Sequence, residues 1–102
     1  MAIVKSYTVK SENIDDSSVQ KIIDSFKDCS VGLNMKNVKS INSNYFMNCV
    51  LSNKFKLYNL NSDVLAYLSL TIKDGRLKSY INFEDLKLDV RELTRRRFRV
   101  LN

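Results

Sequence analysis

Five of the six arginines in this 102-residue chain lie within its last twelve residues. They are Arg91, Arg95, Arg96, Arg97 and Arg99. Each guanidinium is a planar, multi-donor group that stays charged, and a row of such groups suits the phosphates of a polyanion. If the segment is helical, Arg91, Arg95 and Arg99 form one ridge, because residues four apart are neighbours on a helix surface. The pattern predicts a nucleic-acid-binding segment.

Two other interpretations of the arginine segment stay open. Cations near a helix C-terminus complement the helix dipole, and Glu92 can pair with Arg96 four residues later. Arginine stems also cover apolar surface, and Arg97 continues an apolar helical spacing. The segment therefore suits a polyanion contact, a charged protein interface or a solvated structural end.

A second basic and aromatic group stands in the middle of the chain. Alternation along a strand places Lys54, Lys56 and Tyr58 on one face, with Phe55 and Leu57 on the other. Nucleic-acid bases stack on exposed aromatic rings beside cations, so the first three residues are further nucleic-acid-binding candidates. The ordinary alternative is an amphipathic strand with its polar face in water.

Catalysis has little support in the sequence. The chain has no histidine, which excludes Ser–His and Cys–His nucleophile pairs. Asp85-Leu86-Lys87 fits half of a metal-dependent nuclease pattern, with Asp63 or Asp74 as a second acid. A small mRNA-cleaving toxin is the other enzymatic alternative. We expect no enzyme, no catalytic residue, no metal site and no cofactor.

Hydrophobic periodicity predicts the elements that must position these residues. Val19, Ile22, Ile23 and Phe26 share one face of a helix, and Phe26 should be buried against a sheet. Asp74-Gly75 suits a hairpin turn. Val38–Ile41 suits either a short strand or a loop. Strands are predicted over residues 2–9, 45–51, 55–60, 64–72 and 77–83, and a second helix over residues 84–98.

The predicted fold class is α+β. We expect a single layer of mostly antiparallel sheet, with four to six strands, packed by the early amphipathic helix and a C-terminal helix. The length suits one domain over residues 1–102, with an arginine-rich C-terminal helix or tail over residues 91–102. Lys5-Ser6-Tyr7 and Lys78-Ser79-Tyr80 repeat one triplet, which leaves a strand–helix duplication open.

Composition bounds the compartment and the source. No apolar run is long enough to span a membrane, and residues 1–5 do not begin a signal peptide, so we expect an intracellular, cytoplasmic protein without membrane contact. Cys29 and Cys49 show no CxxC spacing and are expected to be buried and reduced, although the sequence does not exclude a disulfide. Abundant Asn, Lys and Ser, with no proline, are typical of A+T-rich genomes, including those of viruses and phages.

Together these features predict a non-enzymatic binding protein. Its expected partner is nucleic acid or a ribonucleoprotein, contacted through the C-terminal arginines. The alternative is a viral or phage protein that acts through protein–protein contacts, as a virion component or an inhibitor of a host factor. The sequence gives no oligomeric state.

Overall fold

The computed structural model describes residues 4–72 and 77–90. Within them, strands and helices alternate along the chain. The elements are β1 (Val4–Thr8), β2 (Asn13–Ile14), α1 (Asp16–Ser25), β3 (Ser30–Asn34), β4 (Ser40–Ile41), α2 (Asn44–Leu51), β5 (Phe55–Tyr58), α3 (Ser62–Thr71), β6 (Ser79–Tyr80) and α4, which is helical over residues 83–90.

The main sheet has four strands in the order β1-β3-β5-β6, and all three pairings are parallel. The predicted α+β class with a mostly antiparallel sheet is therefore wrong, and the fold is α/β with four helices. Parallel neighbours need a crossover connection, and α1, α2 and α3 supply the three crossovers. Within this sheet, each strand lies beside the main-sheet strand that precedes it in the chain, and β2 pairs separately with β4.

Two segments that were predicted as strands are the helices α2 and α3. In α3 the buried side chains are Val64 and Leu68, followed by Ile72 at the C-cap. These residues are four apart, which is the spacing of one helical face, although Leu70 also gives the run an apparent alternation. A short apolar run fits both periods, and here the helical one is correct.

Polar residues mark where these helices begin. Asp15 caps α1 by accepting from the Ser18 amide at 2.9 Å, and Ser43 caps α2 by accepting from the Phe46 amide at 3.0 Å. The Asn82 side chain accepts from the Asp85 amide at 2.9 Å at the start of α4. Such side chains satisfy backbone donors that have no partner within the helix.

The first three helices share one core with one face of the sheet. Val31 and Leu33 of β3 and Phe55 and Leu57 of β5 are buried in it. Helices α1, α2 and α3 contribute Val19, Ile22, Phe46, Met47, Cys49, Val50, Val64 and Leu68. The predicted α1 face is thus confirmed for Val19 and Ile22, whereas Ile23 and Phe26 are only half-buried at its margin.

Helix α4 packs on the opposite face of the sheet. The β3 residue between Val31 and Leu33 is Gly32, so it faces away from the α1–α3 core. A Cβ atom at Gly32 would lie 3.1 Å from Phe83 Cε1 and 3.2 Å from Leu86 Cδ1. Leu86 is fully buried, yet it is not part of the α1–α3 core. The sheet is therefore covered on both faces.

Asparagine side chains link the loops that follow the strands. Asn37 Nδ2 donates to Val9 O at 3.3 Å, and Asn61 Nδ2 donates to Val38 O at 2.8 Å. Asn59 Nδ2 donates to Asn34 Oδ1 at 3.1 Å. These bonds satisfy polar groups of loops where the backbone has left the sheet ladder.

The remaining sequence predictions are settled where the structure describes them. β1 and β5 confirm two predicted strands, β6 lies within the strand predicted over 77–83, and α4 confirms the described part of the helix predicted over 84–98. β3 was not predicted, and β4 shows that the segment Val38–Ile41 contains a short strand. The Asp74-Gly75 hairpin lies outside the described residues. Cys29 is half-buried and Cys49 is buried, and both are free thiols. No helix among the described residues is long and apolar enough to cross a membrane.

Candidate polyanion interface

Helix α4 leads directly into the arginine segment. Arg91, Arg95, Arg96, Arg97 and Arg99 all lie outside the described residues, as does Arg76. The described residues carry ten lysines and nine acids, so their charges nearly balance. The basic excess of the chain therefore belongs mainly to the segment that follows α4.

Lys54 is engaged within the fold. Its Nζ donates to Phe26 O and, at 2.6 Å, to Cys29 O, with a longer contact of 3.4 Å to Lys27 O. These carbonyls follow the C-terminus of α1, where a cation complements the helix dipole. Lys54 thus stabilises the turn from α1 into β3, and its donors are used there.

Tyr58 is buried beneath α4. Its ring lies 5.6 Å from the Phe83 ring, centroid to centroid, at a tilted angle of 40°. Its hydroxyl lies 2.5 Å from Ser6 Oγ on β1, across the intervening strand β3. The predicted face assignment along β5 is correct, but Tyr58 is only 6% exposed, so its ring packs within the protein.

Lys56 shares the Tyr58 face and is half-buried. It lies one residue before Leu57, which pairs with Ser79, and Lys78 lies one residue before Ser79. The two lysines are therefore neighbours on adjacent parallel strands. Burial lowers the pKa of Lys56, Lys78 lowers it further, and Asp89 acts in the opposite direction.

Asp89 of α4 faces the same corner of the sheet. The Tyr80 hydroxyl donates a hydrogen bond to Asp89 Oδ2. Burial raises the pKa of the Tyr80 hydroxyl, and the bond to the Asp89 carboxylate raises it further. The corner therefore combines two lysines and a tyrosine from the sheet with one carboxylate from the helix.

The repeated triplet noted in the sequence does not occupy equivalent positions. Tyr7 aligns with Leu33, Leu33 with Leu57, and Leu57 with Ser79. Tyr80 is thus one register position beyond Tyr7. Since successive side chains of a strand point to opposite faces, Tyr7 contacts the α1–α3 core while Tyr80 faces α4.

The described residues offer no metal-binding arrangement for the nuclease alternative. Among residues 4–72 and 77–90, no three His, Cys, Asp or Glu side chains are placed to hold a metal ion. Asp85 lies in the first turn of α4, where its amide is capped by Asn82, and the adjacent Leu86 is fully buried. Asp74 lies outside the described residues.

A different surface is exposed on α3. Leu65, Tyr67 and Leu70 are 37%, 47% and 71% exposed. Within the part of the chain that the structure describes, α3 is the last helix on its face of the sheet, because α4 packs on the other face. Two clefts of about 290 and 200 Å³ flank Tyr67, one beside the start of α2 and one beside β4.

Sequence reasoning missed the partners that α4 finds on the sheet. Gly32, Ser6, Lys78, Tyr80 and Asp89 were not among the predicted site residues. The chain order of the strands was needed to find them, since it sets Lys56 beside Lys78 and Gly32 beneath α4. Comparisons with protein-family models, curated proteins and solved structures find no match for this chain.

Proposed function

We propose that this chain is a non-enzymatic binding protein whose C-terminal arginines contact a polyanion, either nucleic acid or a ribonucleoprotein. The observation that carries the proposal is the localisation of charge. Five arginines and one acid follow α4, while the described residues are nearly balanced. Clustered cations bind phosphates and release condensed counterions, which drives association at low salt.

The packing of α4 supports this proposal. Phe83 and Leu86 fix the helix on the sheet, so the chain enters the arginine segment from an anchored element. Contacts to phosphates carry no sequence information by themselves. We therefore expect binding that is nearly independent of base sequence and weak at physiological salt.

The test replaces Arg95, Arg96 and Arg97 by alanine and measures filter binding to duplex and single-stranded DNA and RNA over a series of salt concentrations. The dependence of log K on log salt should flatten, by up to about 0.9 for each duplex DNA phosphate that the variant no longer neutralises. A matched variant replaces the exposed Lys10, Lys27 and Lys36 by alanine, which removes the same charge elsewhere. Equal losses of affinity in both variants, or no loss in the arginine variant, would contradict the proposal.

A second candidate function is favoured by the exposed face of α3. We propose as the alternative a viral or phage protein acting through protein–protein contacts, as a virion component or a host-factor inhibitor. Tyr67 and Leu70 are three residues apart and so lie on one side of α3, and exposed apolar side chains grouped in this way are typical of such contacts. The outer residues of α1 by contrast are polar, including Gln20, Lys21 and Asp24.

Sedimentation and polyanion retention distinguish the two functions. A stable oligomer that is not retained on a heparin column would favour protein contact, and retention that falls steeply with salt would favour polyanion contact. For the protein-contact function, replacing Leu65 and Leu70 by serine should dissociate the oligomer. Replacing the neighbouring Ser69 by alanine should leave it intact.

A further inference from the structure

Among the described residues, the corner where α4 meets β5 and β6 combines two lysines with the carboxylate of Asp89. Lys56 of β5 lies beside Lys78, the residue that precedes β6, and neighbouring like charges are destabilising. The carboxylate of Asp89 is the acid that the structure gives to this corner, and Tyr80 donates to it. The corner has the composition of an anion site: two neighbouring cations and a hydroxyl donor, with the hydroxyl bound to Asp89 and the Asp89 charge close enough to act on Lys56.

We propose that Lys56, Lys78 and Tyr80 form a phosphate-binding site on the α4 side of the sheet, that the Asp89 carboxylate occupies this site in the folded chain, and that a ligand phosphate competes with it. None of these residues belongs to the arginine segment. Asp89 therefore acts as an intramolecular competitor.

The contacts around α4 explain how the carboxylate is held and how it can leave. Phe83 and Leu86 anchor the first turns of the helix over Gly32. Asp89 lies about one turn beyond Leu86, near the last described residue of α4, and its described hydrogen bond is the one from Tyr80. A small displacement of this turn would free the Tyr80 hydroxyl and open the half-buried Lys56, beside the already exposed Lys78, while the apolar contacts stay in place.

Lys56 has electrostatic features of a ligand-binding lysine. Burial and Lys78 lower its pKa, so the folded protein bears a cost for keeping it charged. Perturbed ionisable groups beside a specific charge partner are enriched at binding sites. An incoming phosphate would offset that cost more fully than a single carboxylate, because it brings more negative charge and more acceptor oxygens.

The experiment uses the full chain with Arg95, Arg96 and Arg97 replaced by alanine, so that the arginine segment contributes little. Pyrophosphate binding is measured by calorimetry before and after Asp89→Asn, which removes the charge and preserves the shape. The affinity should rise about tenfold, as expected when a charge-assisted competitor is removed. Asp85→Asn, at an exposed position one turn earlier in the same helix, makes the same charge change and should have no effect.

Two further variants locate the site. Lys56→Gln and Lys78→Gln, added together to Asp89→Asn, should abolish the gain. An equal gain in Asp85→Asn, or a gain that survives loss of both lysines, would overturn the proposal. If Asp89→Asn does not fold, the chain that lacks the three arginines and keeps Asp89 decides: pyrophosphate should shift the amide NMR signals of Lys56, Lys78 and Tyr80, and the absence of shifts at these three residues would overturn the proposal.

A parallel titration with a short oligothymidylate identifies the source of the phosphate. Equal gains for both ligands indicate a nucleic-acid phosphate, and a gain for pyrophosphate alone indicates a small phosphorylated ligand. Because these measurements lack the three arginines, they remain interpretable whether or not the arginine segment binds a polyanion.

Discussion

Phe83 lies directly over Gly32, so the contact between α4 and the sheet depends on the absence of a side chain. The Phe83 Cε1 atom would lie only 3.1 Å from a Cβ atom at position 32. The Phe83 ring also contacts the Tyr58 ring, and Leu86 of the next turn is the second side chain that lies close to Gly32. The glycine thus determines how closely the fourth helix approaches the central strand.

Gly32→Val should destabilise the protein by about 1–3 kcal/mol, because added methyl groups overpack the contact with Phe83 and Leu86. Urea unfolding followed by circular dichroism measures the change. We choose valine because its two additional methyl groups make the clash large, whereas the clash of a single alanine Cβ could be offset by the lower entropy that any side chain gives the unfolded chain.

A double-mutant cycle that combines Gly32→Val with Phe83→Ala tests whether the destabilisation by valine comes from its clash with the Phe83 ring. The pair should be less destabilised than the sum of the single variants, since removing the ring makes room for valine. Additive effects would show that Gly32 is needed for a reason other than its contact with Phe83.

Phe46→Ala should cost about 3–5 kcal/mol, because Phe46 is fully buried and its ring packs against that of Phe55, with centroids 5.6 Å apart. Phe26→Ala should cost less, because Phe26 is half-buried at the C-cap of α1, where it contacts the edge of Tyr7. Denaturant unfolding of the two variants makes the comparison. A larger loss of stability for Phe26→Ala than for Phe46→Ala would contradict the placement of Phe46 in the core and of Phe26 at its margin.

Asn53→Ala should destabilise the protein by about 1 kcal/mol, whereas Asn53→Gly should change stability little. Asn53 follows α2 with a φ of 65°, a left-handed conformation that asparagine and glycine adopt more readily than alanine. Thermal unfolding of the two variants is the measurement. Equal stability of both would show that the turn does not require this conformation.

Lys56→Gln should be at least as stable as the wild type near neutral pH. The pKa of Lys56 is lowered from 10.5, first by burial and then by Lys78, so the folded state holds this proton less tightly than the unfolded chain. The charged lysine therefore opposes folding below its lowered pKa, and this cost disappears as the pH rises through the window up to 10.5.

The advantage of Lys56→Gln over the wild type should accordingly shrink with rising pH. Free energies of unfolding at neutral pH and in an alkaline buffer within that window test this. Lys36→Gln, at an exposed position, serves as the matched control and should show little pH-dependent difference from the wild type. A loss of stability in Lys56→Gln that is constant with pH would instead indicate poorer packing of the glutamine side chain.

The sequence carried enough information for the elements whose periodicity has one interpretation. The α1 spacing of Val19 and Ile22 predicted its buried face, and the alternation in β5 placed Phe55 and Leu57 against the core. Ser43 and Asn82 are residue types that commonly precede helices, and Ser43 could have been used to predict the start of α2. A local hydrophobic pattern is sufficient to predict which side chains are buried where the pattern fits only one type of secondary structure.

Strand direction and the choice of face were decided by the tertiary structure. The run from Val64 to Ile72 fits a strand and a helix equally in isolation, and only packing of Val64 and Leu68 against the sheet selects the helix. Once that segment is helical, β5 and β6 become parallel neighbours, and Lys56 lies beside Lys78. The sequence alone thus determined the charge of this protein and part of its helical content. The sheet order, the approach of α4 to Gly32 and the meeting of Tyr80 with Asp89 depend on contacts between residues far apart in the chain, which no local pattern encodes.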